Sequence, residues 1–209
     1  MASTFLGIPI DVINALTGVV TAVAAAGAAG FAYVGLKTWR QEMIGRRKAE
    51  LAEDLIAGFY EARDIFMSAR SPGALGSEYD EIDLGAVEGH DYEEILKTFY
   101  LPVSRINHSR ETLASLHARR YRARVLFGSD IDEAFAILRS VEAGIISSSN
   151  LLRRLVLAAT QSGQDPLKNE RFREYEERLF YAGENDDAIK SELDQAVQKV
   201  EELCSPAIR

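Results

Sequence analysis

Apolar and polar residues are distributed along this chain in two distinct textures. From Val12 to Leu36, "VINALTGVVTAVAAAGAAGFAYVGL", no side chain is charged. After Trp39 charges are frequent and the apolar residues return at helical spacing. Leu51, Leu55, Phe59, Ala62, Phe66 and Ala69 step by four or three, which marks one face of an α-helix. "SPG" at Ser71 to Gly73 ends it, since proline and glycine both break helices. Residues 74–91 have no period and read as a loop with at most a short helical turn.

A second helical segment starts near Asp91 or Tyr92, and Val103, Ile106, Leu113, Leu116 and Phe127 give it a buried face. Pro102 either kinks it or opens its main part as a first-turn proline, and Gly128 closes it. "SDIDEAF" then predicts a helix start, with Ser129 or Asp130 as N-cap and acids in the first turn. The helix that follows carries two seven-residue repeats: Ile131, Leu138, Ile145, Leu152 and Ala159, and beside them Ala134, Val141, Ser148 and Leu155. Such repeats pack as in a coiled coil. "SSSN" at Ser147 to Asn150 should weaken its middle, and Gly163 and Pro166 should end it. A shorter helix carries Phe172, Tyr175 and Leu179; a last one carries Ile189, Leu193, Val197, Val200 and Leu203. Nothing alternates with period two over a useful length. The prediction is all-α: an N-terminal transmembrane helix, then an antiparallel bundle of long helices.

The span follows from the uncharged stretch. A bilayer core needs about 20 apolar helical residues, and Val12 to Leu36 exceeds that. Its strongly apolar residues favour insertion by on the order of 4 kcal/mol, partly offset by glycines, Asn14, Thr17 and Thr21. The flanks decide the orientation. Asp11 is the charge that precedes the stretch, whereas Lys37, Arg40, Arg46, Arg47 and Lys48 follow it. Positive-inside bias puts the C-terminal side in the cytoplasm, with Tyr33 and Trp39 at the interface. Two rivals stand beside this reading: a cleaved signal, although "MASTFLGIPID" lacks a basic start, and an Ala-rich core helix. Within the stretch Gly18, Ala22, Ala26 and Gly30 recur every four residues, a stripe that lets two helices approach closely and so suggests a homo-oligomer. The expected organisation is a short extracytoplasmic N-terminus (1–11), the span (12–36), a juxtamembrane stalk with the first bundle helix (37–70), an acidic loop (71–91) and the remaining bundle helices (92–209).

That topology gives the charges a direction. With one helix leaving the membrane and the next returning, Glu78, Asp80, Glu81, Asp83, Glu88, Asp91, Glu93 and Glu94 fall at the far end. "HARRYRAR" returns toward the bilayer, so that Arg119, Arg120, Arg122 and Arg124 face lipid together with Lys37, Arg40, Arg46, Arg47 and Lys48. The competing expectation is that these arginines make salt bridges with acids on adjacent helices. Nucleic acid is disfavoured by the formal net charge of −8 across 209 residues and by the lack of a groove-reading motif.

Candidate chemistry is sparse. His108 and Glu111 share a helix face, but in the reverse order of the Glu-x-x-His pairs of di-iron bundles. His90 lies among Asp91, Glu93 and Glu94, as expected of a solvated helix start. No phosphate-binding, dinucleotide-binding or nucleophile-elbow glycine motif occurs. The single cysteine, Cys204, reads as a small core residue, and the acceptor motif "NHS" at Asn107 is not expected to meet glycosylation machinery in a cytoplasmic helix. Neither a catalytic set nor a metal or cofactor site is predicted.

"LKTWRQE", "LIAGFYEARDIF", "RRYRARVLFGSDIDEAF" and "FYAGENDDAIKSELDQAVQKVEELCSPAI" follow one another in an order that resembles a group of uncharacterised bacterial single-pass membrane proteins with a cytoplasmic all-helical domain. The resemblance implies inner-membrane attachment and helical architecture, and no functional residues. The expected function is a membrane-anchored interaction module, a scaffold, sensor or regulatory subunit with a cytoplasmic protein partner. The rivals are a membrane-perturbing or pore subunit assembled through the span, and a cryptic enzyme using the His90 region.

Overall fold

The computed structural model describes residues 4–5, 8–74, 76–84, 92–163, 165, 168–181 and 187–208. The chain divides into two compact units, Met1–Lys48 and Ala49–Arg209. Strands β1 (Thr4–Phe5) and β2 (Ile8–Pro9) pair antiparallel, with Thr4 opposite Pro9 and Phe5 opposite Ile8. This ladder was not expected, because two-residue strands are too short to display a period. Helix α1 then runs Ile10–Ala69.

In the second unit, α2 (Gly76–Asp80) supplies the short turn expected in the acidic connection. The part of that connection with Glu88, His90 and Asp91 lies outside the described residues. Helices α3 (Glu93–His108), α4 (Arg110–Ala118) and α5 (Arg120–Phe127) follow where one helical segment was expected. The breaks at Ser109 and Arg119 carry no glycine or proline. Each is a local tightening, with Ser109 N–H donating to Ile106 O and Arg119 N–H to Leu116 O, both at 3.1 Å and both three residues back. Pro102 is buried inside α3 and does not open a helix. Helix α6 (Ile131–Ser162) begins without a side-chain cap: Asp130 has helical backbone angles, and the Ser129 hydroxyl donates to its carboxylate. Asp130 thus takes the expected N-cap position without a capping side-chain bond, and turn hydrogen bonds run from Asp132 N–H to Ser129 O and Glu133 N–H to Asp130 O. Helices α7 (Glu170–Leu179) and α8 (Ala188–Cys204) complete the unit, capped by Asn169 and Asp187, and a 3₁₀ turn (Ser205–Ala207) follows.

The result is an all-α bundle of long helices. Its core matches the sequence periods closely. Leu51, Leu55, Phe59, Ala62, Phe66 and Ala69 are all buried on α1. On α6 the first heptad row is buried throughout; in the second, Ala134, Val141 and Ser148 are buried and Leu155 half-buried. "SSSN" does not interrupt α6: Ser148 and Ser149 are buried within it, the Ser149 hydroxyl without a hydrogen-bond partner. Phe59 meets Phe135 edge-to-face at 5.0 Å, and Phe99 meets Phe172 likewise at 5.8 Å.

Candidate functional site

The first unit offers an uncovered apolar surface. Every residue of α1 from 14 to 47 is exposed, including Leu16, Val19, Val20, Val23, Val34 and Leu36, with Phe31 at 85%. This helix is long and apolar enough to cross a membrane by length and composition. Gly18, Ala22, Ala26 and Gly30 lie on that exposed surface, and a Cβ added at Gly18 or Gly30 would meet nothing within 4 Å. The hydroxyls of Thr21 and Thr38 donate to Thr17 O (2.8 Å) and Val34 O (3.1 Å), so the helix satisfies these polar groups itself. Lys37, Arg40, Arg46 and Arg47 are exposed and Lys48 is half-buried.

The second unit gathers the arginines of "HARRYRAR" where α4, α5 and α6 meet. Arg120 Nε donates to Asp132 Oδ1 at 2.7 Å, and Arg124 Nη1 lies 3.0 Å from Asp132 Oδ2. The Arg120 hydrogen bond holds the Asp132 carboxyl below its ordinary value and pushes the Arg120 guanidinium further up. Arg119 reaches α1, donating to Asp54 O at 3.3 Å, with the Asp54 carboxylate 3.9 Å away. Arg122 is exposed. Of the four arginines proposed from the sequence to face lipid, three therefore have ion-pair partners inside the bundle. Among the described residues of this unit the two most exposed large apolar side chains sit beside them: Tyr121 (74%) and Val125 (82%). They had no signal in the periodicity, because a short helix between charges shows its outer face only once its inner face is known.

Two further arginines are structural clamps. Arg70 is fully buried and donates to Glu177 O, Arg178 O and Phe180 O at 3.0–3.2 Å, while its Nη1 meets Asp187 Oδ2 at 2.6 Å. It thereby satisfies carbonyls at the α7 C-terminus, and Asp187 in turn caps α8. Arg105 grips both carboxylate oxygens of Glu78 at 2.8 and 2.9 Å and donates to Ser71 O at 2.7 Å. Sequence reading passed over Arg70, although it falls four residues after Phe66 on the same buried stripe.

Titratable chemistry is dispersed. His108 lies 3.3 Å from Glu81 on an exposed surface. His117 is half-buried against Phe135, and burial lowers its ring below the ordinary value. Cys204 is buried in the core. Among the described residues no group of three or more His, Cys, Asp or Glu is arranged to hold a metal ion. Open clefts run along α1 beside α3 and α4, lined by Gly58, Glu61, Ile65, Arg105, Glu111 and Arg119. Compared with protein-family models, curated proteins and solved structures, the chain matches none.

Proposed function

We propose that this protein is a membrane-anchored helical interaction module: a single span near the N-terminus and a cytoplasmic bundle that engages a partner protein as scaffold, sensor or regulatory subunit. The observation that carries the reading is the surface of α1 from 14 to 36, uncharged and exposed at every position and predominantly apolar. A helix hydrophobic all round needs an apolar surrounding, and lipid supplies it. The exposed bases that follow, Lys37, Arg40, Arg46 and Arg47, support a cytoplasmic C-terminal side. The order of features supports a bacterial inner membrane, through the resemblance drawn above. Its packed core and charged surface suit the bundle to protein recognition.

The exposed small-residue stripe supports assembly of copies through the span. Leucine at Gly18 and Gly30 should then abolish oligomers in detergent and bilayer. The anchor itself is tested by carbonate extraction and by protease applied to intact cells. Retention in the pellet with a protected C-terminal bundle is the expected result; a soluble or exported product would overturn it.

A further inference from the structure

We propose that the outward face of α5 docks on an anionic lipid surface, with Tyr121 and Val125 entering the bilayer interface and Arg122 and Arg124 holding head-group phosphates on either side. The inner face of α5 rests on the bundle through buried Ala123, half-buried Leu126 and Phe127, and the Arg120–Asp132 pair. At 100° per residue the remaining arc reads Arg124, Tyr121, Val125, Arg122. It is an apolar ridge, one turn long, with a guanidinium on each flank. Arg124 touches Asp132 with one nitrogen and still keeps 59% of its side chain in solvent.

The chemistry of this ridge selects its occupant. Tyrosine, with an apolar body and a polar tip, suits a membrane–water interface, and the planar guanidinium matches phosphate oxygens. A stable protein interface needs about 800 Å² from each partner, whereas two side chains on a convex ridge supply a fraction of that. A bilayer needs no complementary pocket. The inference rests on the anchored reading, which brings a bilayer to the chain.

The test uses the full chain in nanodiscs of phosphatidylcholine, alone or with about a third phosphatidylglycerol. Val125→Cys carries a nitroxide, while buried Cys204 stays in place. Relative accessibility to oxygen and to a water-soluble nickel complex reports whether the label sits in lipid. We expect lipid contact in the anionic discs, its loss in phosphatidylcholine alone, and its weakening by raised salt. Arg122→Gln should lower the ratio of docked to free label about fivefold, and Arg122→Gln with Arg124→Gln at least tenfold. The single variant leaves the Asp132 pairs intact, and circular dichroism checks that both variants remain folded. A label facing water in both discs, or immobilised by protein without lipid contact, overturns the proposal. A second label at Val23→Cys reads the anchor separately. If that label faces water, the anchored reading fails, and the ridge is then judged by the same position-125 label on added anionic vesicles.

Discussion

Arg70 and Asp187 form an ion pair at 2.6 Å, with side chains only 1% and 10% exposed, across more than a hundred residues of sequence. The pair joins the end of α1 to the start of α8, and the same guanidinium closes the end of α7. Breaking a buried pair from one side leaves an uncompensated charge and costs about 3–5 kcal/mol. We expect Arg70→Met and Asp187→Ala each to lower stability on that scale in urea unfolding. Arg70→Lys should rescue little, because an ammonium cannot span the carboxylate and three carbonyls at once.

His117 should make stability fall on acidification. It is half-buried; Glu142 faces it from α6 and pulls its pKa up, while Arg139 on α6 and Arg120 on α5 push it down. Burial dominates and lowers the folded-state value below the ordinary 6.5. The unfolded chain therefore binds the proton first as pH drops, so the contribution is complete above 6.5 and is lost as pH falls toward the folded-state value. Chemical denaturation at a series of pH values should show this slope in the native chain and a shallower one in His117→Gln.

Two phenylalanines on the same helix should behave oppositely. Phe59 is fully buried against Phe135, and Phe59→Ala should cost about 3–5 kcal/mol. Phe31 is 85% exposed, so Phe31→Ala should leave the melting of the bundle unchanged. Differential scanning calorimetry of the two variants separates these outcomes.

Among the described residues two glycines have positive φ, and they differ in what they tolerate. Gly128 closes α5 at φ 93, ψ −178, a region open almost only to glycine, and Gly128→Ala should cost about 1–3 kcal/mol. Gly163 ends α6 at φ 67, ψ 20, ordinary left-handed backbone where asparagine is also found. Gly163→Asn should fall within about 0.5 kcal/mol of the native chain in the same denaturation assay.

The sequence by itself determined the helices that carry the core. Stepping of apolar residues along α1 and the heptads of α6 depend only on 3.6-residue geometry, so Leu51 through Ala69 and Ile131 through Ala159 were legible without any partner. Gly128 and Gly163 were legible for the same reason, since a backbone stop is a property of the residue itself. Breaks at Ser109 and Arg119 were not, because ordinary residues carry them and only the i−3 backbone bonds of the folded chain mark them. Tertiary structure alone decided the roles of the arginines. A guanidinium looks the same in sequence whether it is clamped on carbonyls like Arg70, paired with Asp132 like Arg120, or turned outward like Arg122. The partners of Arg70 and Arg120 lie on other elements, and only the packing of helices brings them within hydrogen-bond reach.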